Sequence, residues 1–226
     1  MITEQEFKKL SADLRKLAVN IPLHWGAVQN NRFDGYMSEN QFFSISSYEE
    51  LESTVASFPD NIKAYFRRRW YILECSKCDE YLFYVNPGVT PNPNQRDKSY
   101  DIAFDYGLKF DVKGTVIPRQ MRSSVEIEQL LRDPSPMVKF YYDKQSHGRR
   151  FDMQNRLFVV HHSFVDEHRE FYLRCAWGTK QKIYQEYCNN VKKIKFINYE
   201  GCTASVIFIL EREKNKLTYS INGLSK

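Results

Sequence analysis

Apolar side chains recur at helical spacing near the start of the chain. Within residues 3–19 they repeat every three or four positions, at Phe7, Leu10, Leu14 and Leu17. Side chains at this spacing share one face of an α-helix. Thr3 suits the N-cap of such a helix, and Glu6 completes a capping box with it. The pattern therefore predicts a helix over residues 3–19.

Two further helices are predicted before residue 76. Ser47 is followed by glutamates, whose negative charge favours the first turns of a helix, and this helix should end before the next proline. Asp60 can cap a helix that runs to about Cys75. We therefore expect a helical N-terminal extension over residues 1–58 and a core domain over residues 59–226.

Predicted strands alternate with predicted helices in the rest of the chain. Strands are expected at residues 81–85, 100–104, 108–117, 157–161, 204–210 and 216–221. Helices are expected at residues 124–132 and 179–191, and the segment 86–98 is rich enough in Pro, Asn and Gly to be a loop. This order predicts an α/β or α+β fold, with a mixed central sheet flanked by helices.

Composition and charge exclude few classes of protein. The chain has 42% hydrophobic and 27% charged residues, which is typical of a soluble globular protein. A net charge of +5 permits a polyanionic partner without requiring one. We find neither a signal peptide nor an apolar run that would span a membrane, and five cysteines do not indicate a disulfide framework. We therefore expect a cytoplasmic protein with no membrane partner.

Candidate chemistry is concentrated in the predicted strand pair. In the strand 108–117, Asp111 and Lys113 alternate with apolar residues. Side chains two apart on a strand point to the same face, so the acid and the base should lie side by side. Charge on an otherwise apolar strand is costly unless it has a partner or a metal ion.

The turn between the two strands decides whether Asp101 joins this pair. If residues 105–107 form a three-residue loop, whose third position suits Gly107, then Asp101 falls opposite Asp111. Facing residues on antiparallel strands have Cβ atoms about 5 Å apart, and two carboxylates at that distance repel each other unless a cation lies between them. A two-residue loop would instead pair Ile102 with Asp111 and place Asp101 on the other face.

An Asp that precedes Asp-x-Lys across a hairpin resembles the motif of the PD-(D/E)xK nuclease superfamily. Ten positions separate Asp101 from Asp111 (111 − 101 = 10), and Lys113 completes the motif. Tyr100 stands where the motif has Pro, and Asp111 stands where Glu is commoner. The resemblance covers about residues 60–165.

The resemblance implies a restriction-endonuclease-like core and a metal-dependent endonuclease that hydrolyses phosphodiester bonds, as in a type II restriction enzyme or a repair or mobile-element nuclease. Asp101, Asp111 and the carbonyl of Val112 would bind Mg²⁺, for which Mn²⁺ should substitute. Lys113 would orient or deprotonate the attacking water. The preceding helix would supply a further catalytic acid, expected to be Glu74.

The substrate implied is double-stranded DNA. Cutting both strands requires two active sites, so a homodimer is the natural expectation. Arg119 and Arg122 directly follow the strand that carries Asp111, and Arg67 projects from the same side of its helix as Glu74. These three arginines are the candidates for contacts to DNA phosphates.

Two other interpretations stay open. The hairpin charges can form an ordinary salt bridge in a non-catalytic module that binds nucleic acid or another protein. Cys75 and Cys78 have the spacing of half a zinc site, although a lone pair of this kind is more often two core thiols. Glu74 can likewise be a solvated residue at the edge of the apolar stripe of its helix, paired with Arg67.

Overall fold

A computed structural model of the chain describes residues 1–23, 32–94, 97, 99–144 and 154–224. The chain divides into two compact units. One comprises Ile2–Cys78, and the other comprises Asp79–Lys226 together with Met1. The division falls within one long helix, Asp60–Tyr84.

The N-terminal unit is built from helices. They are α1 (Glu4–Ala18), α2 (Glu39–Ser44), α3 (Tyr48–Val55) and the first part of α4 (Asp60–Tyr84), with a 3₁₀ helix at Arg32–Tyr36 between α1 and α2. The predicted caps of α1 and α3 are confirmed. Thr3 and Glu6 form a capping box, and the Ser47 hydroxyl accepts a hydrogen bond from the backbone N–H of Glu50. The Trp70 indole is fully buried and donates to the carbonyl of Ile45.

Helix α4 continues past Cys75 to Tyr84, so the strand predicted at residues 81–85 is wrong. A short apolar run is compatible with a strand or with a buried helix face. Here the buried positions Cys78 and Leu82 keep the four-residue spacing of a helix. Phe83 stacks on Tyr184 with ring centroids 3.9 Å apart, and this contact buries the last turn.

The C-terminal unit holds all the strands that the structure describes, with four helices besides the end of α4. The strands are β1 (Val89–Pro91), β2 (Ile102–Phe104), β3 (Lys109–Val116), β4 (Arg156–Ser163), β5 (Ile197–Tyr199), β6 (Cys202–Glu213) and β7 (Lys216–Ile221). The helices are α5 (Ser124–Arg132), α6 (Ser135–Lys144), α7 (Arg169–Arg174) and α8 (Trp177–Asn190). The predicted α5, α8, β2, β3, β4, β6 and β7 are thereby confirmed.

Four elements of this unit were not predicted: β1, α6, α7 and β5. Strand β1 lies inside the segment 86–98, which was expected to be a loop. Residues 95, 96 and 98 of that segment are outside the described residues. Three of the four elements are short, and strands as short as β1 and β5 are defined by pairing with a neighbour rather than by a local sequence pattern.

Within the described residues the strands form one mixed sheet in the order β1-β2-β3-β4-β6-β5, with β7 also paired to β6. The pairs β1–β2 and β2–β3 are antiparallel, whereas β3–β4 and β4–β6 are parallel. Every residue of β4 is buried, as expected for a central strand covered on both faces. The predicted class, a mixed α/β fold with helices flanking a sheet, is confirmed.

No helix in the described part of the chain is both long enough and apolar enough to cross a membrane.

Candidate active site

The β2–β3 hairpin adopts the three-residue turn, one of the two alternatives that the sequence left open. Ile102 pairs with Phe110, and Gly107 has a φ of 88°, the left-handed conformation that suits glycine. Asp101 lies just before β2, outside the paired residues, and its carboxylate interacts with that of Asp111. The backbone N–H of Asp101 donates to the carbonyl of Phe110 at 2.8 Å, the residue that also pairs with Ile102, so the regular register of the hairpin ends at Ile102.

Hydrogen bonds hold Asp101 through its backbone N–H, its backbone carbonyl and its side chain. Its Oδ2 atom accepts a hydrogen bond from the backbone N–H of Val112 at 2.7 Å. The N–H of Asn92 donates to the carbonyl of Asp101 at 2.9 Å, and the Asn92 amide donates to the carbonyl of Tyr100 at 2.9 Å. Burial raises the pKa of Asp101 to about 6; Lys113 opposes this rise and Asp111 adds to it.

The backbone of Val112 faces the same side as the Asp101 carboxylate. In a β-strand the N–H and C=O of one residue point to the same edge. Because the Val112 N–H reaches Asp101 Oδ2, the Val112 carbonyl also points to the Asp101 side of β3. Its position agrees with the role that the resemblance implies for it, as a third oxygen donor beside two carboxylates.

Asp111 lies between two cations. Its side chain is buried, Lys113 Nζ lies 2.5 Å from its Oδ1 atom, and Arg156 Nε lies 3.4 Å from its Oδ2 atom. The Asp111 N–H donates to the carbonyl of Asn155 at 2.9 Å, which anchors β3 to the start of β4. The ion pair confirms that Asp111 and Lys113 share one face of β3.

A third carboxylate, on α4, interacts electrostatically with this group. It belongs to Glu80, whose pKa is raised to about 8, first by burial and then by the negative charge of Asp101, with a further contribution from Asp79. Lys113 acts in the opposite direction. Glu80 therefore interacts electrostatically with both an acid and the base of the hairpin motif, and sequence reasoning missed it.

Glu74, the helical acid expected from the sequence, has a different environment. Its carboxylate is buried and lies 2.6 Å from Lys77 Nζ. Burial raises its pKa, and Lys77 opposes that rise. Six residues separate Glu74 from Glu80, which corresponds to roughly 240° around a helix axis. Glu80 is thus the α4 acid for which an interaction with Asp101 and Lys113 is seen, and the catalytic role of Glu74 stays a prediction.

The donor atoms of the site suit a hard divalent cation. Asp101, Asp111, Glu80 and the Val112 carbonyl offer oxygens alone, which Mg²⁺ prefers. The Oδ2 atom of Asp111 is buried and accepts no hydrogen bond from the described residues, although Arg156 Nε lies 3.4 Å from it. In the described part of the chain, no three Asp, Glu, His or Cys side chains are already arranged to hold a metal ion. These oxygen donors would therefore hold a cation partly through water.

The three arginines expected to bind phosphate differ in exposure. Arg119 has a side chain that is 70% exposed and lies 3.9 Å from Glu167. Arg122 is mostly buried, donates to the carbonyl of Ile117 at 2.8 Å, and is paired with Glu167 and Glu170. Arg119 is therefore the one of these two that can reach a ligand without breaking buried contacts.

Arg67 belongs to the N-terminal unit and is held by Glu52 through two hydrogen bonds, at 2.7 and 2.5 Å. The interpretation that Glu74 pairs with Arg67 is therefore wrong, because Glu74 pairs with Lys77. Cys75 and Cys78 are both buried in α4, and neither takes part in a metal-binding group among the described residues.

Comparisons with family models, with curated proteins and with solved structures found no match to this chain. Its fold and the geometry of the hairpin are therefore the observations on which a function can be proposed.

Proposed function

We propose that this chain is a metal-dependent DNA endonuclease with a restriction-endonuclease-like core. The observation that carries the proposal is the group of charges at the β2–β3 hairpin. Asp101 accepts the Val112 N–H and its carboxylate interacts with that of Asp111, Lys113 pairs with Asp111, and Glu80 interacts from α4. Charged groups of both signs, gathered on partly buried strands, are costly for stability alone and are typical of catalytic sites.

The order of elements supports the same proposal. Helix α4 precedes an antiparallel series of three strands, β1 to β3, and helices α5 and α6 then connect β3 to the parallel strand β4. A helix, three antiparallel strands, a helical crossover and a fourth strand parallel to the third form the arrangement expected for a nuclease of the PD-(D/E)xK type.

Asp101, Asp111 and the carbonyl of Val112 are the groups that would hold Mg²⁺ or Mn²⁺, and Glu80 adds a carboxylate to the same donor set. A bound cation would lower the pKa of water and polarise the scissile phosphate. The protein groups do the positioning. The Val112 N–H orients Asp101, and the hydrogen bond from Asp111 N–H to Asn155 anchors the second acid.

Lys113 is suited to act on the phosphate directly. Its side chain is 37% exposed, although its Nζ atom lies 2.5 Å from Asp111. In the protein without substrate this ammonium balances the carboxylate. With substrate present, the ammonium donates to a phosphate oxygen and offsets the negative charge that grows in the transition state. Glu80, with a pKa of about 8, holds a proton near neutral pH in the absence of a cation and releases it when positive charge enters the site.

The proposed substrate is double-stranded DNA. The net charge of +5 is compatible with a polyanion, and the exposed Arg119 follows β3 within a short 3₁₀ helix. A homodimer would supply the second active site that is needed to cut both strands.

The test is cleavage of supercoiled and linear DNA with Mg²⁺, with Mn²⁺ and with EDTA. Asp111→Asn and Lys113→Met should each lower the rate on the order of 100-fold. Asp105→Asn serves as the matched control, because Asp105 lies in the exposed turn of the same hairpin. DNA binding that ignores both the metal and the Lys113 substitution, without cleavage, would favour the non-catalytic binding module instead.

A further inference from the structure

A second group of buried charges lies beside the proposed site. Its members are Asp79, Lys180 and Arg174. Asp79 immediately precedes Glu80 on α4 and is 1% exposed. Its Oδ1 atom accepts hydrogen bonds from Lys180 Nζ at 2.7 Å and from the Tyr184 hydroxyl at 2.8 Å. Both donors come from α8, so the acid ties one turn of α4 to that helix.

Lys180 is an unusual residue to find here, because its side chain is fully buried. Besides Asp79, its Nζ atom lies 5.1 Å from the centre of the Trp177 ring. A buried ion pair of this kind contributes little net stability, since the cost of removing both charges from water offsets their attraction. Well-packed apolar side chains would stabilise the same contact at least as well. The pair therefore calls for an explanation other than stability.

The same group of charges also reaches β3 at the residue next to Lys113. A Cβ atom added to Gly114 would lie 2.9 Å from Arg174 Nη1 and 3.6 Å from Asp79 Oδ2. The absence of a side chain at Gly114 thus lets Arg174 and Asp79 approach the strand backbone. Successive strand residues point to opposite faces, so Lys113 faces the proposed site while Gly114 faces the charges behind it.

The contacts of Asp79 on α4 and of Gly114 on β3 both connect the second group of charges to the proposed site. On α4, Asp79 binds the second group of charges and Glu80 interacts with the acids of the site. On β3, Gly114 lies against the second group and Lys113 pairs with Asp111. A displacement of Asp79 would therefore move the backbone that carries Glu80 relative to the strand that carries Lys113.

We propose that Asp79 and Lys180 are positioning residues that hold the α4 turn bearing Glu80 against β3. This inference rests on the proposed nuclease function, because it assigns the pair a role in that site. The pair acts through Glu80 and touches neither DNA nor a metal ion. Its removal should weaken catalysis and cation binding while it leaves the fold intact.

The test is a double-mutant cycle on the full chain. The variant Asp79→Asn/Lys180→Met removes both charges of the ion pair together, and the asparagine side chain still offers an oxygen to Tyr184. We expect cleavage in Mg²⁺ to fall about 10- to 100-fold, the range found when residues that orient metal ligands are replaced. In a Glu80→Gln background the same two substitutions should cost no more than about 2-fold, because the effect passes through Glu80.

Two controls separate positioning from a general loss of structure. Lys182→Met removes an exposed lysine from the same helix and should leave cleavage unchanged. Thermal unfolding of the Asp79→Asn/Lys180→Met variant should occur within a few degrees of wild type. Equal losses of activity in the wild-type and Glu80→Gln backgrounds would overturn the positioning role, as would undiminished cleavage in the wild-type background.

Mn²⁺ binding, measured by calorimetry, distinguishes a failure of the proposed nuclease function from a failure of the positioning role. Wild-type protein that neither binds Mn²⁺ nor cuts DNA would overturn the proposed function, and the positioning role with it. Wild-type protein that does both, beside a variant with unchanged affinity and rate, would overturn the positioning role alone. The expected result is weaker Mn²⁺ binding in the variant, with the difference abolished by Glu80→Gln.

Discussion

Asp101 reaches across the hairpin to Val112, and its Oδ2 atom accepts the backbone N–H of that residue at 2.7 Å. This bond occupies the position just beyond the end of β2, where the strand ladder stops. It holds the Asp101 carboxylate close enough to Asp111 for the two acids to interact. The proposed site is thus built at the point where β3 continues past its hairpin partner, and strand β4 supports it from the other side.

The two glutamates of α4 should respond differently to substitution. Glu80→Gln is expected to lower Mg²⁺-dependent cleavage at least about 10-fold, because it removes a carboxylate from the site. Glu74→Gln should keep activity within about 2-fold of wild type, since Glu74 pairs with Lys77. Initial rates on supercoiled DNA measure both variants. A larger loss for Glu74→Gln than for Glu80→Gln would contradict the assignment.

The stability of the metal-free protein should fall as the pH rises. The pKa of Glu80 is raised to about 8 from 4.5, and that of Asp101 to about 6 from 3.8. The folded protein therefore keeps protons that the unfolded chain has released, so stability is lost as the pH rises through these values. Glu80→Gln removes much of this effect and should stabilise the protein at pH 9 by about 1–3 kcal/mol.

Denaturant unfolding at pH 5 and at pH 9, with EDTA present, measures this difference. The gain from Glu80→Gln should be small at pH 5 because Glu80 is then protonated in the folded state. A destabilised Glu80→Gln variant at pH 9 would contradict the prediction.

Arg156 should stabilise the fold through Asp111. The guanidinium is buried, with its Nε atom 3.4 Å from Asp111 Oδ2 and its centre 4.9 Å from the Tyr142 ring. Arg156→Met removes one of the two cations beside a buried carboxylate and should cost about 1–3 kcal/mol of unfolding free energy. In an Asp111→Asn background the cost should be smaller, because the uncompensated charge is gone. Equal costs in both backgrounds would show that packing alone explains the loss.

His161 should make stability depend on pH in the opposite direction. The imidazole is fully buried, and its Nδ1 atom lies 3.1 Å from the carbonyl of Thr115. Burial, with Lys180 and Arg174 nearby, holds its pKa well below the ordinary value of 6.5. The unfolded chain binds a proton below about pH 6.5 that the folded protein excludes, so stability is lost as the pH falls.

His161→Gln should therefore reduce the slope of stability against pH between pH 5 and pH 6 by up to about 1.4 kcal/mol per pH unit. Urea unfolding at closely spaced pH values gives this slope directly. An unchanged slope would mean that the folded protein accommodates the imidazolium.

Local sequence patterns predicted most of the helices and strands and part of the proposed site. Gly107 is a local feature that favours a three-residue turn, but the sequence also allowed a two-residue turn, and the structure decides for the first. The α4 acid did not follow from the sequence, because the apolar residues at 81–85 are compatible with a strand, and a strand there leaves Glu80 outside the helix. Arg156 and Lys180 were missed for a different reason. Lys180 contacts an acid 101 positions away, and no periodicity along the chain indicates such a pairing.

The central claim is that Asp101, Asp111 and Lys113 form a metal-dependent nuclease site. The most direct measurement is the rate at which supercoiled DNA is cut in Mg²⁺ by wild type, Lys113→Met and the hairpin control Asp105→Asn. We predict cleavage by wild type and by Asp105→Asn that EDTA abolishes, and a rate on the order of 100-fold lower for Lys113→Met. Cleavage that persists in Lys113→Met at the wild-type rate, or that continues in EDTA, would contradict the claim.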